Sequence, residues 1–563
     1  MNTNGFKLRT RLKYILRAIG LLPVARRLQV LVTPQSPQER ENQQRFLQFK
    51  KQFGAVLQYN LNSTEHQQQK KVLISGAGFV GEPVELSLIK AIELAGCIPV
   101  VLVHRTAKID LLYYKLAVRH FIFWEDFTGL PDTAAAEAIL ARCQSVQELK
   151  EFIFEDIRVG LYAVSLTLRY HRIGSLDLGE PQQRLMLIEQ LASAMLYASA
   201  ALSIVRAIRP QMALYMDGVY TPEAEFVDAC LANGVDAISW DMAHRSDTLM
   251  LKRYKNWNSE RDRNSLSQKS WEILRDMPWS DWNREQLQQE IYDSYATGDW
   301  YNNSDTQFNK RPLDANTVDR ELGLDVRKKT AFIFLPILWD ATLVGGIDLF
   351  RDYEEWLVET VWAACRNDRV NWVIKVHPAH VGKALDDGFH GEPAEVIALR
   401  QHIGELPPHI SLIPADSPIS TYSLFAEMDY CLTVRGTIGI EAAILGIPVL
   451  TAGTGRYDRR GFTYDSKTCE EFLVKVSHIQ EIPRLSATQQ ELAERYAYGF
   501  FVLRPLPLTT ITFENIDTKT SNSEFRININ AKEDWYNAQD LKAISCWLVD
   551  STESDYLAPV KTA

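Results

Sequence analysis

Cysteine is scarce in this chain: there are seven in 563 residues, at positions 97, 143, 230, 365, 431, 469 and 546. No Cys-x-x-Cys pair occurs, so neither a disulfide framework nor a zinc knuckle is signalled, and a reducing cytosol fits. Basic residues are not in excess. The 61 Lys and Arg against 71 Asp and Glu leave a net charge of -10, which argues against an extended nucleic-acid surface, because phosphate contacts need Lys and Arg. No Asp-x-Asp triplet, low-complexity tract or internal repeat is present. What is there is ordinary for a globular chain, 46% hydrophobic and 23% charged, which excludes disorder, collagen and a coiled-coil rod. The length implies several folding units and room for a large core.

Residues 1–38 differ from that average in carrying seven Lys or Arg and no Asp or Glu. Leu8, Leu12, Ile15, Leu16 and Ile19 fall on one helical stripe with Lys7, Lys13 and Arg17 away from it, a basic amphipathic helix. No apolar run in this segment reaches the ~18–20 residues that cross a bilayer. Two readings stand: residues 6–32 rest on an anionic membrane surface, or the helix docks on the protein's own core.

From Lys71 the pattern is α/β. A strand (Val72–Ser75), glycines, a helix to about Leu94 and a second strand (Ile98–Val103) make a βαβ unit. A helical stretch over about 133–208, broken near Ser175–Gln183, precedes strands at Met212–Met216 and Asp236–Trp240. Residues 65–250 thus read as one Rossmann-like domain with a helical insertion, after an N-terminal segment 1–64. Residues 251–328 are polar but hold Trp257, Trp271, Trp279, Trp282 and Trp300, a linker whose tryptophans anchor it across two domains or stack on sugar. A second series begins at Thr330, with strands at Ala331–Leu335, Val370–Val376, Ile410–Ile413, Tyr430–Val434 and Pro448–Thr451, so 329–505 reads as a second Rossmann-like domain and 506–563 as a C-terminal extension. Two such domains in tandem face each other across a cleft, with ligand at the carboxyl ends of the strands.

Three groups of residues carry chemistry. Gly76-Ala-Gly78-Phe-Val-Gly81 has the dinucleotide fingerprint after a strand, but the second strand ends in Val103-His104-Arg105 without the expected acidic residue. NADP held with Arg105 is one reading of this loop; a packing turn, or a turn that meets the acceptor, is the other. Lys375-Val-His377-Pro378 brings a cation and an imidazole to a strand end, a combination suited to phosphate, with Pro378 fixing the turn. Arg435-Gly436-Thr437 opens a helix in which Glu441 follows Thr437 by one turn, so its carboxylate suits a ribose diol. Asp217, after a strand of the first domain, is a candidate general base; Asp340 competes with it, and Asp241 and His244 are further choices. His377 and His380 lack an accompanying acidic cluster, so no metal site is predicted.

The second half resembles the bacterial capsule polysaccharide biosynthesis proteins, glycosyltransferases of the two-Rossmann GT-B architecture that include capsule Kdo transferases. The resemblance rests on Leu322-Gly-Leu-Asp325, Leu335-Pro-Ile-Leu-Trp-Asp340, Lys375-x-His-Pro378, Pro414–Ser420, Arg435-Gly-Thr-Ile-Gly-Ile-Glu-Ala442, Gly446–Leu450, Gly453–Tyr457 and Gly461–Asp465 as an ordered set over about 320–475. It implies a sugar transferred from a nucleotide-sugar donor, CMP-linked and acidic or UDP-linked, to a polysaccharide or lipid-linked saccharide, with no cofactor and no metal. By this likeness Lys375 and His377 meet the donor phosphate, Gly436 and Thr437 assist, and Glu441 takes the ribose. His377 then also serves the chemistry, together with Asp217 or Asp340. Arg435 either meets a more anionic donor or pairs with Glu441. The implied location is cytoplasmic, peripheral at the inner face of the plasma membrane. The competing functions are an NADP-dependent sugar epimerase or oxidoreductase using Gly76–Gly81, and a non-catalytic polysaccharide assembly or export component.

Overall fold

The computed structural model describes residues 37–62, 70–76, 83–256, 262–301, 310–343, 345–387, 391–517 and 522–560. The basic segment 6–32, Gly78, Gly81 and Trp257 lie outside the described residues.

Two mainly parallel sheets form the frame, as expected for an α/β chain with tandem Rossmann-like domains. In the first, β1 (Lys71–Ser75), β2 (Ile98–Val103), β3 (His120–Phe123), β4 (Met212–Tyr215) and β5 (Asp236–Met242) are parallel, in the order β5-β4-β1-β2-β3. β6 (Thr248–Tyr254) joins β5 antiparallel, so this sheet runs past residue 250. In the second sheet, β7 (Thr330–Phe334), β8 (Asn371–Lys375), β9 (Ile410–Ile413), β10 (Tyr430–Thr433) and β11 (Val449–Thr451) are all parallel, in the order β11-β10-β7-β8-β9. β7 and β8 are buried at every position, because helices cover both faces.

Both sheets wind the same way. The chain lays three strands outward, then returns to the other side of its first strand. Direction reverses between β1 and β4 and again between β7 and β10, and the diverging loops there leave a crevice at the carboxyl ends.

The insertion between β3 and β4 consists of helices Thr133–Leu140, Val146–Lys150, Val159–His171 and Pro181–Ile208. The last is long and apolar enough to cross a membrane, yet Leu187, Leu191, Ala198, Ala201 and Leu202 are buried, and the helix packs on Val159–His171 and Glu223–Ala232. Trp271 and Trp300 of the linker sit in one apolar cluster with Phe332, Phe334 and Cys431, and so anchor the linker on the second domain. The C-terminal extension returns to the first domain. β12 (Leu506–Pro507) pairs with β6, the Gln539–Asp550 helix packs on Pro83–Leu94, and Trp535 Nε1 donates to Val56 O at 3.0 Å.

Candidate active site in the interdomain cleft

The loops after β7, β8 and β10 face Asp217 and the linker across a cavity of about 590 Å³, lined by Lys375, His377, Pro378, Asp340, Arg435, Gly436, Thr437 and Glu441 among others. That volume is in the range of small-molecule sites. The structure thus brings together the candidates from both domains, except Gly76, Asp241 and His244.

Lys375 is the last residue of β8, 3% exposed, and its Nζ has no hydrogen-bond acceptor among the described residues. Burial, helped by Lys310, brings this ammonium down to about 7. Two residues on, His377 Nδ1 accepts from the Ala379 N–H at 3.2 Å, so the neutral ring carries its proton on Nε2. Burial, then His380 and Lys375, hold His377 down at about 3, so it is a hydrogen-bond donor and not a cation at neutral pH.

At β10 the outcome is divided. Arg435 does not pair with Glu441: its Nη2 is bound to Asp348, from the loop after β7, and its backbone oxygen accepts from Arg456 Nη1 at 2.9 Å. Gly436 donates its N–H to Thr433 Oγ1 at 3.1 Å, so that amide is already engaged within its own loop. Its carbonyl accepts from the Tyr457 hydroxyl at 2.6 Å, an approach that Gly439 permits, since a Cβ there would stand 2.1 Å from that oxygen. Thr437 and Tyr301 both line the cavity. Glu441 is 3% exposed, accepts from the Tyr295 hydroxyl, and is pushed by burial up to about 7.

The candidate bases separate by their partners. Asp340 Oδ1 takes Arg169 Nη1 at 2.8 Å and the Tyr220 hydroxyl at 3.1 Å, while Oδ2 lies 2.8 Å from Lys383 Nζ. Burial opposes its charge, but Lys383 and Arg169 outweigh burial and keep it below the usual carboxylate range. With both oxygens engaged, Asp340 is placed as a clasp, a poor arrangement for a base. Asp217 Oδ1 is 2.6 Å from Arg263 Nη1, and its side chain remains 41% exposed to the cleft. Glu223 accepts the Asp217 and Gly218 N–H groups at 3.0 and 2.9 Å and so holds the loop, which Gly218 enters at φ +64. Asp241 takes Arg263 Nε at 2.7 Å, and His244 is buried against Glu290 at 2.8 Å, away from the cavity lining.

Gly76, the first glycine of its loop, is elsewhere. Gly76 does not line the cavity; its N–H donates to Leu102 O at 3.0 Å, and a Cβ there would stand 2.9 Å from Val103 Cγ1 and 3.0 Å from the Tyr114 hydroxyl. It is a packing glycine. Arg105, the residue an NADP phosphate would need, is paired with Asp126. Among the described residues no group of three or more His, Cys, Asp or Glu is placed to hold a metal ion.

Sequence reasoning missed Arg169, Lys383, Arg263 and Tyr295. Arg169 sits in Leu166-Thr-Leu-Arg-Tyr-His171, where nothing local marks it as facing a cleft. Arg456, bound to Asp262 Oδ2 at 2.7 Å, did carry a signal, because it lies in the Gly453–Tyr457 stretch of the resemblance.

Residues 354–494 match the capsule polysaccharide biosynthesis protein family. The match includes Lys375 to Glu441 on one wall of the cleft, and leaves out the Leu322–Asp325 and Leu335–Asp340 stretches of the resemblance. No curated protein sequence matches the chain. Among solved structures, the β-Kdo 2,4 transferase KpsC of Thermosulfurimonas dismutans is similar at 12% identity, over 56% of this chain and 84% of that one, with TM-score 0.34. The β-Kdo 2,7 transferase KpsC of the same organism is similar at 18% identity over 61% and 89%, TM-score 0.31. MnaA of S. aureus, solved with UDP, is similar at 12% identity over 76% and 94%, TM-score 0.29.

Proposed function

We propose that this protein is a glycosyltransferase that moves a sugar from a nucleotide-sugar donor to a capsular or other surface saccharide without a divalent ion. The observation that carries the reading is Lys375: a buried amine with no acceptor among the described residues, lining the same cavity as a neutral imidazole, His377, and the buried side chain of Glu441. An uncompensated buried cation is costly unless an anion arrives to pair with it. A donor phosphate supplies that anion, and the nucleoside ribose then meets Glu441.

In the step this arrangement supports, an acceptor hydroxyl oxygen forms a bond to the anomeric carbon as the bond from that carbon to the phosphate oxygen breaks. The bonding pair leaves with the phosphate, where Lys375 and the Nε2–H of His377 stabilise the growing charge. The proton of the acceptor hydroxyl passes to Asp217. The proposed location is the inner face of the plasma membrane, with residues 6–32 resting on anionic lipid; sedimentation with anionic vesicles, before and after deletion of that segment, tests it.

Calorimetric titration of CMP-, UDP- and GDP-linked sugars tests the donor site. Binding of one series, lost in His377→Ala and Glu441→Ala, is expected; undiminished binding by both variants would overturn the assignment.

A further inference from the structure

What fixes the Glu441 carboxylate comes from outside its own domain. Tyr295, on the linker helix Asp281–Thr297, donates its hydroxyl to Glu441 Oε2 at 2.5 Å. The Tyr295 ring is held in turn: it stacks on Trp300 with centroids 4.8 Å apart at 26°, and Trp300 packs against Phe501 at 5.0 Å and against His244 at 5.1 Å. Trp300 and Tyr295 both line the cavity. A glutamate side chain that must be immobilised on binding loses rotamer entropy. Glu441 is immobilised beforehand, through an aromatic stack that runs from the first domain's His244 to the second domain's helix.

We propose that Tyr295 is a positioning residue that makes the cleft selective for ribonucleotides, by tying down Oε2 of Glu441 so that Oε1 is aimed at the ribose 2′ hydroxyl. This rests on the nucleotide reading of the cleft and extends it to a residue outside the stretch that matches the family. Selectivity follows because a site built to receive a hydroxyl rejects the analogue that lacks it, whose binding leaves a buried acceptor unmet. A glutamate free to turn toward bulk water would relieve that cost; a tethered one cannot. Burial favours the neutral acid, and the Tyr295 hydrogen bond works in the opposite direction, toward the ionised acceptor.

The test is calorimetric titration of CMP, UMP and their 2′-deoxy counterparts into the full chain and its Tyr295→Phe variant, which keeps the ring and its stack. The wild-type protein is expected to bind the ribonucleotide about tenfold more tightly than the deoxy form, about 1.4 kcal/mol. In Tyr295→Phe the preference falls below about threefold, chiefly through weaker ribonucleotide binding. A variant that loses affinity for both ligands equally, with the ratio intact, has lost only structure, and the proposal falls. A wild-type protein that binds nucleotides without preference overturns it as well, while leaving the nucleotide site standing; binding of no nucleotide at all overturns both. If Tyr295→Phe does not fold, Trp300→Phe, which loosens the support of the Tyr295 ring, must also lower the ratio, and an unchanged ratio there counts against the proposal.

Discussion

Arg169 Nη1 stands 2.8 Å from Asp340 Oδ1, and this ion pair ties the first domain's helical insertion to the loop that leaves β7. Tyr220 of the first domain strengthens it: the hydroxyl donates to the same oxygen at 3.1 Å and accepts the Ala341 N–H at 2.8 Å. Nearby, Lys150 Nζ donates to Arg351 O and Ser175 Oγ to Asp352, so the insertion clasps the second domain along one side of the cleft. Two carboxylates that look alike in sequence and line the same cavity are separated by this arrangement into one engaged on both oxygens, Asp340, and one left half-exposed, Asp217.

Asp340→Asn is therefore expected to lower stability by about 1–3 kcal/mol, the usual cost of weakening hydrogen bonds to a charged group, while most of kcat survives. Asp217→Asn should keep its fold, because Asp241 still pairs with Arg263, and lose roughly 10²–10⁴ in kcat. Thermal melts and steady-state kinetics on the two variants check this, and the reverse pattern would exchange the two roles.

Lys375 gives a prediction about protons. With its ammonium at about 7 in the free protein, most of the side chain is neutral at pH 8, and binding a phosphate should draw in close to one proton. Calorimetry in buffers of different ionisation heat reads the uptake, which Lys375→Met should abolish. Stability follows the same linkage. Between pH 7 and 10.5 the unfolded chain holds the extra proton, so the cost of burying this lysine is fully present below 7 and disappears as pH rises toward 10.5. Lys375→Met should accordingly be the more stable protein at pH 6 and lose that advantage by pH 10.5.

Glu441, raised by burial to about 7, behaves in the opposite sense. The folded state holds its proton more tightly than the unfolded chain from pH 4.5 to 7, so stability falls as pH rises through that window, and Glu441→Gln removes the slope. Ribose binding needs the ionised acceptor, and nucleotide affinity should weaken by up to about tenfold per pH unit below 7. Together with Lys375 this predicts an affinity maximum near neutrality, measured as Kd against pH.

His377, held at about 3, should contribute nothing to that profile. Its ring nitrogen shifts, assigned by comparison with His377→Gln, are expected to remain those of a neutral imidazole from pH 5 to 8 in the free protein; protonation of the ring near 6.5 would show it to be solvated and the donor role misassigned.

Much of the frame was legible in the chain. Runs such as Ala331–Phe334 and Trp372–Ile374 are apolar without alternation, and only a strand covered on both faces accommodates that pattern. The Lys375–Pro378 and Arg435–Glu441 segments declared themselves because each follows such a run directly, and a strand end in an open α/β sheet is where ligands bind. β12 was not legible, since two residues that complete a sheet some 250 positions earlier in the chain leave no periodic trace. Nor was the Tyr295–Glu441 contact, with its partners separated by 146 positions.

Local order alone therefore determined which segments are strands, which residues sit at their ends and which chemical groups are offered there, because backbone propensity and hydrophobic periodicity act over a few residues. Partnership was decided by tertiary structure: Arg435 with Asp348 and not Glu441, Asp340 with Arg169 and Lys383, Lys375 with no acceptor among the described residues. Charge pairing and desolvation depend on distances in space, and the same side chain becomes a clasp, a hydrogen-bond donor or an uncompensated cation according to what folding brings beside it.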